Sequence, residues 1–272
     1  MWQGTRKDAV NPWGGDDSWK GHFQGHNIVN AVFQEIKNFT VTELILTGCS
    51  AGGIGTFGNC DFAAETFHDA MVACRPEAGW FGLPIATYDE FTKSITPADP
   101  HHFSTINWTA QIETYTPQTE AYKTCVQKAD FDAKDVCANN AEKCCQSVPY
   151  IYPYLKTPIF VSENSADSYQ CFTQGRCPHS MTKDVEDYVL YLRNLLTMSM
   201  GKKVVNGGKK DQDGLFAPAC LAHAMHWNDS PYATVEGKNL QQAFGDWYFK
   251  RGENHFYLNN STSVKDLLSC YN

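Results

Sequence analysis

Gly48-Cys49-Ser50-Ala51-Gly52 has the spacing of a nucleophile turn, in which a serine hydroxyl projects from a sharp bend between a strand and a helix. Its setting fits. Leu44-Ile45-Leu46-Thr47 before it belongs to a β-branched and Leu-rich run, 41–47, that predicts a buried parallel strand, and the residues after it are small. A serine in such a bend attacks acyl carbonyls. The flanking glycines allow close backbone approach and unusual dihedrals. The N–H of Ala51, at the start of the helix, then faces the oxyanion of a tetrahedral intermediate.

An activated serine needs a base, and the base an orienting carboxylate. Where the nucleophile sits on a strand-to-helix turn, the chain order is serine, acid, histidine. Asp167 and Glu163 both follow the apolar run 159–162, and either suits the acid. Downstream, Cys220-Leu221-Ala222-His223-Ala224-Met225-His226-Trp227 offers two imidazoles. Two His three apart also suit one turn of a metal site, but no metal is expected. His101-His102, beside Pro100, reads as a solvated loop.

The elements that must position these groups alternate. Ile28, Val29, Val32, Phe33 and Ile36 recur at helical spacing over 27–38, and 61–67 suits a helix. Residues 159–162 predict a second buried strand. Helices follow over 184–198, with Val185, Tyr188, Val189, Leu192 and Leu196 on one face, and over 237–250. Gly207-Gly208-Lys209-Lys210 reads as a surface turn. Residues 84–154, dotted with Pro, Asn and Cys, predict a disulfide-stapled irregular insertion within one domain spanning 1–272. The class is α/β.

Composition narrows the setting. The chain has 272 residues, 42% hydrophobic and 19% charged, with 7 Trp, 13 Tyr and 16 Phe, which excludes disorder and supplies one sizeable core. A net charge of −8 without Lys/Arg stripes argues against nucleic acid. No apolar run approaches the ~20 residues of a membrane span. The 11 Cys, with sequons at Asn38, Asn107, Asn228, Asn259 and Asn260, favour an oxidising, secretory setting. Cys144 and Cys145 are expected to bridge to different partners, and Cys49 to be a small buried filler. Met1-Trp2-Gln3-Gly4 leads into no apolar leader, so a signal is expected to have been removed or to precede this start.

Five segments, in order, resemble the pectin acetylesterase/Notum family of serine carboxylesterases. They are Asp17-Ser18-Trp19-Lys20-Gly21, Gly48-Cys49-Ser50-Ala51-Gly52-Gly53, Glu77-Ala78-Gly79-Trp80-Phe81, Asp167-Ser168-Tyr169-Gln170 and Cys220-Leu221-Ala222-His223. The resemblance implies an α/β-hydrolase-like fold, with a central, mostly parallel sheet flanked by helices. It selects Ser50 as nucleophile, Asp167 over Glu163 as orienter, His223 over His226 as base and Ala51 N–H as an oxyanion donor. It assigns Trp80, as a wall of the acyl pocket, and Gln170 to substrate binding, with a buried core aromatic as the equal alternative for Trp80. The family's early strands and Gly-Gly loop have no clear counterpart before Asp17, where Gly14-Gly15 stands nearest. The function implied is a secreted esterase that removes acetyl groups from a polysaccharide, pectin foremost, without metal or organic cofactor. Fatty-acyl ester hydrolysis and non-catalytic glycan binding are the rival expectations.

Overall fold

The computed structural model describes residues 7–9, 20–22, 24–81, 119–128, 141–173, 212–224 and 233–259, with scattered positions from 183 to 200 and residue 263. The Asp17–Gly21 segment lies mostly outside these residues, as do Gly14-Gly15, His101-His102, the Gly207 turn and His226. Of the helix expected over 184–198, the described positions are helical, and Val189 and Leu196 are buried.

Five strands form one parallel sheet in chain order: β1 Glu43–Cys49, β2 Met71–Glu77, β3 Phe160–Ser162, β4 Gly214–Ala217 and β5 Phe256–Leu258. Helix α1, Gly25–Ile36, precedes β1, and α2, Ala51–Thr66, links β1 to β2. Between β2 and β3 come α3 Glu120–Lys128, α4 Ala141–Cys144, α5 Val148–Ile151 and a 3-10 turn Tyr152–Tyr154. Helix α6, Ser168–Thr173, follows β3, and α7, Leu240–Tyr248, lies between β4 and β5.

The strand expected over 41–47 exists and is parallel, but it is not buried. Among the described residues β1 is the edge of the sheet, and exposure alternates along it, with Ile45 39% exposed. Its Leu44 and Leu46 pack with Phe33, Phe67 and Val72 between α1 and α2. By contrast β3, in the middle, is buried at all three residues. Helix α2 begins immediately after Ser50, as the turn requires, and runs on without a break through the stretch 61–66. Asn239 caps α7 by accepting from Gln242 N at 2.9 Å, while the Gln242 side chain accepts from Asn239 N.

The end of the expected insertion is not peripheral. Val148, Ile151 and Tyr152 are at most 1% exposed and pack with Phe57, Trp80, Ile159 and Val161 in the main core. Buried Asp61 on α2 accepts from Thr157 N at 2.9 Å and from the Thr157 hydroxyl at 2.8 Å, tying α2 to the start of β3. Disulfides join Cys60 to Cys74, from α2 to β2, and Cys125 to Cys145. Cys144 is also disulfide-bonded, so the adjacent pair does serve two partners. The register aligns Cys49 with Glu77, Glu77 with Ser162 and Ser162 with Phe216. The loops leaving four neighbouring strands therefore start side by side at the carboxyl edge, where α/β sheets gather their sites.

Candidate active site

Ser50 is the first residue beyond β1. It adopts φ 57° and ψ −121°, a left-handed conformation costly for a residue with a Cβ. Two backbone bonds hold it there. Ser50 N–H donates to Glu77 O at 2.9 Å, and Ser50 O accepts the first helical bond from Ile54 N at 3.1 Å. Its side chain does not cap α2. Instead Oγ lies 2.7 Å from His223 Nε2.

The glycines around the bend divide by role. A Cβ on Gly48 would stand 2.4 Å from Gly52 O, and one on Gly53 would stand 2.5 Å from Glu77 O and 2.9 Å from Gly79 Cα. At Gly52 a Cβ would meet nothing within 4 Å. Close approach therefore requires Gly48 and Gly53, and the Gly52 of the pentapeptide is sterically dispensable. Ala51, first in α2, carries one of the N–H groups that a helix leaves without an internal acceptor.

Behind the serine, His223 Nδ1 lies 2.9 Å from Asp167 Oδ1, with the Asp167 side chain 3% exposed and that of His223 24%. Asp167 Oδ1 also accepts from Tyr169 N at 2.7 Å, and Oδ2 accepts from Gln170 Nε2 at 3.1 Å. A carboxylate held by these two donors accepts a hydrogen bond from Nδ1–H and leaves the Nε2 lone pair facing the serine hydroxyl. The structure thus separates the two acids: Asp167 meets the imidazole, whereas Glu163 Oε2 accepts from Trp80 N at 2.9 Å.

Trp80 and Gln170 lie elsewhere than on a substrate-facing surface. Trp80 is 3% exposed and packs edge-on against Phe57 and Tyr152, with centroids 5.6 and 5.1 Å apart. Gln170 is 5% exposed, and its Nε2 donates to Trp80 O at 3.3 Å as well as to Asp167. The reason is packing: both fill the space behind the relay. Cys49 departs from expectation too. It is a free, exposed thiol on the outward face of an edge strand, and partial burial, then the Glu77 charge, raise its pKa.

The exposed aromatic beside the imidazole is Tyr169. Its ring centroid is 4.9 Å from that of His223, and Phe81 lies 5.9 Å from both. At 49% exposure it faces solvent. Its place within Asp167-Ser168-Tyr169-Gln170, two residues after the acid, was the available signal.

Among solved structures the fold matches the Wnt deacylase Notum from Drosophila, at TM-score 0.67 and 20% identity, over 96% of this chain and 68% of that one. Pectin acetylesterase 5 of Arabidopsis thaliana is 22% identical over 251 residues, 84% of this chain and 53% of the relative. Palmitoleoyl-protein carboxylesterase notum1 of Xenopus laevis is 27% identical over 262 residues, 87% of this chain and 48% of the relative. The chain spans about half the length of these curated relatives. The family model described as Pectinacetylesterase matches residues 1–264. A match of that extent, on an α/β-hydrolase-like sheet, means that the chain belongs to the pectinacetylesterase family.

Proposed function

We propose that the protein is a serine carboxylesterase that removes acetyl groups from a polysaccharide, pectin foremost. The observation that carries this reading is the line Ser50 Oγ, His223 Nε2, His223 Nδ1, Asp167 Oδ1, with 2.7 and 2.9 Å between successive partners. Ser50 Oγ attacks the acetyl carbonyl carbon while His223 Nε2 takes the hydroxyl proton. Asp167 keeps the other ring nitrogen protonated and stabilises the imidazolium. The tetrahedral intermediate expels the sugar oxygen, which receives the proton from His223, and the acetyl group stays on Ser50. Water, deprotonated by His223, then releases acetate and restores the hydroxyl. Ala51 N–H supports the oxyanion in both halves.

Tyr169, exposed beside His223, suits a sugar as the alcohol-side partner, since the C–H face of a pyranose stacks on an exposed aromatic ring. Disulfides such as Cys60–Cys74 fit an oxidising, extracellular setting. Phenylmethylsulfonyl fluoride should label Ser50, and Ser50→Ala should lose p-nitrophenyl acetate hydrolysis. Unchanged turnover in that variant refutes the mechanism. Faster cleavage of octanoate than acetate esters, or no acetate released from acetylated pectin, refutes the substrate class.

A further inference from the structure

Glu163 has no part in the mechanism just described, yet its side chain is sealed inside the site. It is 3% exposed, and Oε2 accepts from Trp80 N at 2.9 Å, with the Gly79 N–H as a further donor. The residue it holds, Trp80, presents its carbonyl to Gln170 Nε2 at 3.3 Å, and the same Nε2 reaches Asp167 Oδ2 at 3.1 Å. The turn so gripped is strained and pressed against the nucleophile bend. Ala78 has φ 45°, Ala78 N donates to Ser162 O at 2.9 Å, and Gly79 abuts Gly53 closely enough that neither tolerates a Cβ. Trp80, Glu163, Asp167 and Gln170 all line one cavity of about 10 Å³, which leaves the chain of contacts little slack.

We propose that Glu163 is a positioning residue of this site: by gripping the backbone of Trp80 it fixes the carbonyl from which Gln170 is hung, and through Gln170 it orients the Asp167 carboxylate. This rests on the hydrolase reading above. The role needs an acceptor oxygen at this position and no charge. The titratable and charged groups around it are Glu77, itself paired with Arg75 at the end of β2, Cys49 at the end of β1, Asp167 on its own loop and His223 behind Asp167. Burial, with the Asp167 charge adding to it, pushes the Glu163 carboxyl well above the usual carboxylate range.

The test compares Glu163→Ala, Glu163→Gln, Gln170→Ala and the Glu163→Ala/Gln170→Ala pair by p-nitrophenyl acetate kinetics across pH. Phenylmethylsulfonyl fluoride inactivation is read alongside, with near-ultraviolet circular dichroism to confirm folding. Glu163→Ala and Gln170→Ala should each lower kcat about 10- to 100-fold with KM within about twofold. The double variant should be no worse than the poorer single one, because one relay is broken twice. Glu163→Gln, which keeps a carbonyl acceptor for Trp80 N–H, should recover most of the loss with the acidic limb of the profile unmoved. Full kcat in folded Glu163→Ala, additive losses, or an acidic limb displaced downward in Glu163→Gln overturns the proposal. Should Glu163→Ala fail to fold, the Glu163→Gln profile and the Gln170→Ala loss decide by the same criteria. Wild-type protein left unlabelled at Ser50 defeats the hydrolase reading. Labelling equally fast in wild type and Glu163→Ala defeats the positioning role alone.

Discussion

Adding one methyl group at Gly53 should disable the nucleophile without touching it. The new Cβ would stand 2.5 Å from Glu77 O, 0.9 Å inside the 3.4 Å at which ordinary contact begins, and 2.9 Å from Gly79 Cα. Both obstacles are backbone, so no side chain can swing aside. Either α2 or the 77–80 turn must retreat by roughly the missing distance. The bond from Ser50 N to Glu77 O, now 2.9 Å, spans that same gap and must stretch. A shift of about 1 Å carries Oγ out of line with His223 Nε2, and misplacement on that scale reduces turnover on the order of 100-fold. Overpacking of this kind also destabilises by about 1–3 kcal/mol. Gly52→Ala is the control, since its Cβ meets nothing within 4 Å and α2 gains about 1 kcal/mol of helix propensity. The assay is kcat for p-nitrophenyl acetate with the thermal midpoint of each variant. Equal activity in Gly53→Ala and wild type refutes the steric argument. So does a larger loss in Gly52→Ala than in Gly53→Ala.

Asp167→Asn should reduce kcat about 10⁴-fold with little change in KM, because the amide no longer enforces the productive imidazole tautomer; a loss below tenfold contradicts that role. Tyr169→Ala should raise KM for acetylated pectin roughly fivefold, the equivalent of about 1 kcal/mol of lost stacking, and affect KM for p-nitrophenyl acetate far less. Replacing Cys60 and Cys74 together by Ser opens a loop of sequence separation 14 and should lower unfolding free energy by about 3 kcal/mol in a denaturant titration. The raised pKa of Glu163 carries a pH signature. Above the unfolded Glu pKa of about 4.3 the unfolded chain releases a proton that the native state keeps. Wild-type stability should then fall relative to Glu163→Gln by about 1.4 kcal/mol per pH unit as pH rises towards the native pKa. Parallel stability curves for the two proteins as pH rises from 5 refute a raised Glu163 pKa.

The residues of this candidate site could be picked out in the chain because they follow local spacing. A serine between small residues after a β-branched run, an acid after a second buried run and a histidine further on are local patterns, and resemblance ranked the alternatives. Helices 25–36 and 240–248 were legible in the same way, from apolar residues at helical spacing. What the chain left open depends on which strands become neighbours. Glu163 and Asp167 are four residues apart with the same functional group. Only the register that sets Ser162 between Glu77 and Phe216 turns one towards the backbone of Trp80 and the other towards His223. The edge place of β1, the exposure of Cys49 and the burial of Trp80 and Gln170 have the same origin, since burial is a property of neighbours drawn from distant sequence. Local spacing names the groups able to react, and only the packed sheet decides which of two equal groups meets the reacting atoms.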